Sequence, residues 1–393
     1  MRRERIVVAM SGGVDSSTAA ALLHAEGHDV VGVTLKLTDA TGTAASIGGR
    51  CCGPRDIEDA RMTAGALGFP HYVLDETAAF REAVIDEFVS EHARGRTPNP
   101  CVRCNEKLKF GPLIRFARAV GAGRLATGHY ARLDRVGGAV HLRRAVDAQK
   151  DQSYFLFGVA PELFEHVLFP LGDRTKEEVR AIARRFHLAN ADKPDSQQIC
   201  FVPEGDHLAF VEQRGGAGPA GALVDEQGQT VGRHPGTHRF TVGQRRGVPV
   251  AADGQKRFVV RIDAASGQVV VGPREATGLA ALQVTDVRWT GGGPPRAWPV
   301  RCAVQLRHRA AALPAWLTAA SAPSGPAVGG ARPAEPSPSP SPSSSPSAAG
   351  VEGPVAVCGV VLDAPAFGVA PGQAAVFYDA DRVMGGGWIA SGP

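Results

Sequence analysis

Apolar and polar positions change period repeatedly along the first two hundred residues. The run Ile6, Val7, Val8, Ala9 predicts a strand over 5–10, and "SSTAAALLHAEG" then takes helical spacing over 16–26. The pattern continues with a strand at "DVVGVTLKL" (29–37), a helix at about 55–68 and a strand at "HYVLD" (71–75). Helical spacing returns through "AAFREAVIDEFVSEHARG" and over 106–120, before a strand at "RLATGHYA" (124–131). Strands alternating with helices predict an α/β class, a doubly wound parallel sheet that binds ligands at the carboxyl ends of its strands.

Past about Phe201 the texture changes to short alternating runs between Gly turns, such as "GALVDEQGQTVGRH" and "KRFVVRIDAASGQVVVG". These predict a small β-rich domain, placed at 205–275 after an α/β domain over 1–204. A third segment, 276–393, carries "LQVTDVRWT", "VRCAVQLRHRA", "VAVCGVVLDAP" and "GQAAVFYDADRVMGGGWIAS", which predict a β-barrel. Inside it lies 321–350, where 17 of 30 residues are Pro or Ser and none is aromatic. Such a stretch cannot bury enough apolar surface to order itself, so it reads as a disordered insertion.

A length of 393 residues suits two or three domains. The net charge of +4 does not by itself announce a nucleic-acid binder. Between Arg94 and Arg118, however, seven Lys or Arg stand against the single acid Glu106, which is either a solvated face or a nucleic-acid footprint. No apolar run approaches a membrane span, and "MRRERIVVAM" leads straight into a strand, so a cytoplasmic protein without membrane association is expected. Seven cysteines, odd in number and unevenly spaced, suggest chemistry or metal rather than a disulfide framework.

The candidate chemistry starts at "SGGVDSS", 11–17. Gly12 and Gly13 let backbone approach phosphate, Ser11, Ser16 and Ser17 offer hydroxyls, and amides opening the next helix complete an anion site. Neither G-x-G-x-x-G nor a Walker lysine is present, so a different nucleotide chemistry is implied. Asp15 makes sense beside phosphates if it holds Mg²⁺. A second constellation, "GRTPNPCVRCNEKLKFG", carries Cys101 and Cys104 as C-x-x-C; a third, "DKPDSQQICFVPEG", carries Cys200. Half a zinc site, a redox dithiol and buried small hydrophobes all remain open for that spacing.

Together with "TGHYAR", "KDQSYFLFGV", "TVGQRRG" and "PGQAAVFYDADRVMGGGWI", these motifs resemble the bacterial tRNA-specific 2-thiouridylases, over the whole chain except 321–350. "SGGVDSS" itself resembles the PP-loop of the ATP pyrophosphatases. The resemblance implies a PP-loop domain like the adenine nucleotide alpha hydrolases, a small central domain and a C-terminal β-barrel. It implies sulfur replacing the 2-oxygen of the wobble uridine in tRNAs for Lys, Glu and Gln. ATP would lie against Ala9, Met10, Ser11, Gly12, Gly13, Val14, Asp15 and Ser16, with Leu35 and Gly128 around adenine and ribose. Cys104 matches the first catalytic cysteine and Cys200 the persulfide carrier. Asn99, Pro100 and Cys101 fall where the family holds the target base; His129, Lys150, Asp151, Gln152, Arg307, His308 and Gln373 fall where it touches tRNA.

Chemistry agrees with that reading. The uracil 2-oxygen is a poor leaving group, so adenylation by ATP, with Mg²⁺, would activate it before sulfur arrives from a Cys200 persulfide. A cysteine desulfurase or a sulfur-relay protein would load that persulfide. Arg103, or the N-terminus of a helix beginning near Asn105, would raise the thiolate fraction. Arg94, Arg96, Arg103, Lys107, Lys109 and Lys150 would meet phosphates. Asp195 and Ser196 are local orienting groups or a plain cap and turn, and "GTAASIGGRCCG", with Cys51 and Cys52, reads as an active-site lid. Cys101 departs from the Asp that many family members carry. Three cysteines, Cys101, Cys104 and Cys200, also suit a [4Fe–4S] cluster with one open iron. Another PP-loop adenylating enzyme, or a non-catalytic tRNA-binding protein, stays as the competing function.

Overall fold

The computed structural model describes residues 3–38, 53–195, 199–202, 206–251, 253–291, 293–319 and 357–390. The expected lid with Cys51 and Cys52, Ser196, and the 321–350 insertion lie outside the described residues.

The α/β class is borne out. Strands β1 (Arg5–Ala9), β2 (Asp29–Lys36), β3 (His71–Asp75) and β4 (Arg124–Thr127) pair in parallel. The chain then leaves as a hairpin, β5 (Ala131–Val136) and β6 (Ala139–Arg144), before β7 (Val167–Leu168) returns to complete the sheet in the order β3-β2-β1-β4-β7. β1 is central, and its Ile6, Val7 and Val8 are wholly buried, as a strand covered on both faces demands. Strand order reverses direction beside β1, which puts a crevice at its carboxyl end.

Two further sheets follow. β8 (Gly221–Val224), β9 (Thr230–His234), β10 (Phe258–Asp263) and β11 (Gln268–Gly272) form one of four strands, in the order β10-β11-β8-β9. β12 (Gly278–Trp289), β13 (Val300–Gln305), β14 (Leu313–Ala319), β15 (Cys358–Phe367), β16 (Ala374–Asp379) and β17 (Arg382–Ile389) close into the expected barrel, because β12 pairs with both β15 and β17. β14 and the hairpin β5–β6 escape the sequence pattern. The hairpin joins the barrel's sheet through β17, where Arg382 faces Arg143, and Arg144 stacks 3.5 Å over the buried Tyr378 ring.

The barrel also meets the α/β domain at Arg103, whose guanidinium lies 3.8 Å over the Trp388 ring. Both partners are largely enclosed, so the contact joins cation–π attraction to apolar burial. Trp388→Ala should cost about 3–5 kcal/mol, the range for emptying a buried aromatic site. Trp316→Ala, at a ring 41% exposed, should stay within about 0.5 kcal/mol. Thermal melting of the two variants against the parent checks the difference.

Candidate active site

The Gly-rich turn leaves β1 and enters the helix Val14–Ala25 with Gly13 as its N-cap. Gly12 has φ +70, and a Cβ there would stand 2.1 Å from the Asp56 carbonyl oxygen. At Gly128 a Cβ would stand 2.7 Å from the Ser16 backbone nitrogen. Backbone therefore closes on backbone around the helix N-terminus, a cradle that suits phosphate. The Ser16 hydroxyl accepts from the Ser11 amide at 3.0 Å and donates to the Gly13 carbonyl at 3.2 Å. Val14 and Met10 are buried, Ala9 is partly covered, and Leu35 is packed into the main core on β2.

Residues far along the chain hold this loop. Asn190 donates through Nδ2 to the Gly12 carbonyl at 3.2 Å and to Ser17 Oγ at 2.8 Å. Lys193 Nζ donates to the same carbonyl at 3.2 Å and pairs with Asp56 and Asp59 at 2.7 Å each. Burial opposes the Lys193 charge, but the two carboxylates outweigh it and raise its pKa.

Asp15, expected to hold Mg²⁺, is already engaged. Lys176 Nζ donates to its two oxygens at 2.7 and 2.8 Å, and the Tyr130 hydroxyl donates to Oδ1 at 2.8 Å. Lys176 and Tyr130 thus fill three of the carboxylate's roughly four acceptor positions, and the Lys176 ammonium balances its charge without a metal. Lys176 also reaches Asp195 at 2.7 Å, which Lys150 and Arg180 contact at 2.8 and 3.4 Å. Burial would raise the Asp195 pKa, yet the hydrogen bonds from Lys150 and Lys176 hold it below the ordinary carboxylate range.

The cysteine helix starts earlier than expected. Asn99 caps it, its Oδ1 accepting from the Val102 amide at 3.3 Å, and Pro100 takes the first turn, where a missing N–H costs nothing. The helix runs Pro100–Cys104, passes through a π segment Asn105–Lys109, and continues as Phe110–Ala119. Cys104 therefore lies past the first turn, and the idea that a helix N-terminus near Asn105 activates it is corrected. Cys101 occupies that first turn and is exposed, whereas Cys104 is buried in the main core. Cys200 packs on the same core from the other segment, beside Phe201, whose ring meets Phe80 and Phe88 at 5.6 and 5.3 Å. Among the described residues no three His, Cys, Asp or Glu form a group able to hold a metal ion, so Cys101, Cys104 and Cys200 do not fit an iron–sulfur cluster.

The basic run is not a bare cationic face. Acids from the preceding helix, invisible to local counting, pair with it: Glu91 with Arg94 and Arg96, and Glu87 with Arg103 and Lys107. Several residues expected at tRNA serve the fold in this state. Gln373 donates to the carbonyls of Thr97 and Pro98 at 2.8 and 3.4 Å, just ahead of Asn99. Asp151 is buried, pairs with Arg144 at 2.9 Å and accepts from the Ala145 and Ser153 amides. Gln152 accepts from the Tyr130 amide, His308 lies 4.3 Å from the Phe155 ring, and Arg307 reaches the Phe367 carbonyl.

Residues 4–204 match the family described as "tRNA methyl transferase HUP domain", with 209–273 and 349–389 matching its PRC-barrel and an aminomethyltransferase β-barrel domain. A tRNA-specific 2-thiouridylase of Geobacter metallireducens is 44% identical over 98% of this chain and 97% of its own length. The chain belongs to the tRNA-specific 2-thiouridylase family. A second member, from Bradyrhizobium diazoefficiens, is 47% identical over 98% of this chain and 92% of its own. Among solved structures, a 4-thiouridine synthetase–RNA complex with bound ATP is 16% identical with a TM-score of 0.35, covering 54% of this chain and 50% of that one. No helix among the described residues is long and apolar enough to cross a membrane.

Sequence reasoning missed Lys176, whose neighbours carry no motif, and Asn190, just ahead of the quoted stretch that begins at Asp192; Tyr130 and Lys193 stand inside quoted motifs but drew no role. Two measurements test the geometry. Gly12→Ala should destabilise the chain by about 1–3 kcal/mol through overpacking, whereas Gly13→Ala, whose Cβ would meet only Ser11 Oγ at 3.5 Å, should melt close to the parent. Burial, with Lys109 adding to it, pushes His129 down to about 3, so the native state keeps it neutral while the unfolded chain protonates near 6.5. Stability should therefore fall as pH drops from about 6.5 toward 3, and His129→Gln should flatten that slope in melts across the range.

Proposed function

We propose that this chain makes 2-thiouridine at the wobble position of tRNAs for Lys, Glu and Gln, using ATP to activate the base and a Cys200 persulfide to supply sulfur. Family membership supports sulfur transfer to tRNA, and the cradle of Gly12, Gly13, Ser16 and Gly128 suits a nucleotide's phosphates. The observation that carries the reading is that Cys104 and Cys200 pack on one core, while the segment leading to Cys200 grips the phosphate loop through Asn190 and Lys193.

In this scheme the uracil 2-oxygen attacks the α-phosphorus of ATP, and pyrophosphate leaves. The terminal sulfur of Cys200–S–S⁻ attacks C2, and AMP departs with the former 2-oxygen. The Cys104 thiolate then attacks the Cys200 sulfur, forming a Cys104–Cys200 disulfide and expelling the thiocarbonyl product. An external thiol reductant returns the pair to dithiols, and a desulfurase or relay protein reloads Cys200. Asn99, Pro100 and Cys101 border the place for the base; Cys101 is exposed and able to face it. No step uses an iron–sulfur cluster.

Nucleoside mass spectrometry on unmodified glutamate tRNA, incubated anaerobically with full-length protein, Mg-ATP and a persulfide donor, tests this. Metal-free protein should yield 2-thiouridine, and Cys200→Ala and Cys104→Ala should each reduce it to background. Product formed only after iron–sulfur reconstitution would overturn the persulfide route; product from neither sample would overturn the activity.

A further inference from the structure

Asp15 stands one residue inside the helix that opens the phosphate loop, where a bare carboxylate would repel a polyphosphate. The chain supplies its own answer. Lys176 is only 8% exposed, and its ammonium has three carboxylate oxygens within 2.8 Å, two from Asp15 and one from Asp195. That number matches its three donors. Its backbone is fixed as well: Thr175 caps the helix in a reciprocal pair with Glu178, and the Lys176 amide donates to Asp147 at 2.9 Å. Only the four-carbon side chain is left to move.

The two carboxylates are not equally dependent on it. Asp195 also holds Lys150 and Arg180, whereas Asp15 has Lys176 together with the Tyr130 hydroxyl. A phosphate oxygen arriving at the loop can therefore take the third N–H of Lys176 from Asp195 while Asp15 stays neutralised.

We propose that Lys176, rather than a divalent ion ligated by Asp15, is the cation that neutralises Asp15 and receives the phosphates beyond the α-phosphate. This rests on the reading that ATP binds at the loop. Magnesium then enters as a chelate of the nucleotide, without Asp15 in its shell, and Lys176 is a positioning residue for pyrophosphate departure.

Titration calorimetry on the full chain, with α,β-methylene-ATP and with AMP, each in Mg²⁺ and in EDTA, tests it. The parent should bind the analogue with affinities within about threefold in the two buffers. Lys176→Met should weaken the analogue by about tenfold or more, a ratio equal to ~1.4 kcal/mol, and AMP by no more than about twofold. Lys176→Arg should recover much of the loss, and a melting curve for each variant separates misfolding from lost contact. Equal analogue affinity in Lys176→Met and parent would overturn the proposal. So would parent binding that requires Mg²⁺ and loses that requirement in Asp15→Asn. Failure of the parent to bind the analogue in either buffer would overturn the ATP reading itself, and this inference with it.

Discussion

A phosphate loop must turn its amides toward the ligand, so its carbonyls turn away and need donors elsewhere. Here the Gly12 carbonyl finds them in Asn190 and Lys193. The same Lys193 ties down Asp56 and Asp59 of the helix Pro54–Leu67, and the Asp56 carbonyl presses so close to Gly12 that no side chain fits there. Three stretches, the outermost 181 positions apart, thus share one contact point. The one that supplies both donors also leads, within ten residues, to Cys200. The Gly-rich loop and the segment that carries Cys200 are joined by the simple need to satisfy a backbone oxygen.

The second cysteine is placed by the barrel. Thr97 donates its amide to the Pro371 carbonyl at 2.8 Å, and Gln373 takes the carbonyls that follow, so the turn before β16 fixes the entry to the Asn99 cap. Arg103, next to Cys104, is then held between Glu87, Glu106 and the Trp388 ring. The π segment directly after Cys104 adds a local departure from α-helical spacing of the kind found at functional sites. Its first residue, Asn105, donates to the Phe155 carbonyl at 3.1 Å, which ties the departure to a distant loop. The helix carrying Cys104 is accordingly held by contacts from two domains.

Local chemistry was legible in the sequence wherever it is set by neighbours along the chain. Hydrophobic periods reported the parallel sheet and the barrel, and Gly12 and Gly13 reported the loop, because at Gly12 a tight turn against backbone admits no substitute. Nothing comparable reports Lys176 in "TKEEVR": it sits on an ordinary amphipathic helix, and its role comes from folding against Asp15 across 161 positions. The hairpin β5–β6 was missed for the same reason, since its membership of the barrel sheet is decided by β17. The basic run erred in the opposite direction. Counting charge in sequence overlooked Glu87 and Glu91, which lie outside the window yet form ion pairs of 2.6–3.1 Å with it.

That pairing changes how the run can meet an RNA. An arginine already bonded to a carboxylate gains less from a phosphate than a free one does, because one charge-assisted contact is exchanged for another. Each acid is shared by two cations, and the exchange favours phosphate more at Glu87, 26% exposed, than at Glu91, 14% exposed, because the freed carboxylate regains water more readily there. Long-range attraction falls while geometric demand rises, since only an RNA that presents phosphates at the right positions can displace both partners of a pair at once. A face built this way trades affinity for all polyanions for discrimination among folded ones, which suits a family that acts on tRNA.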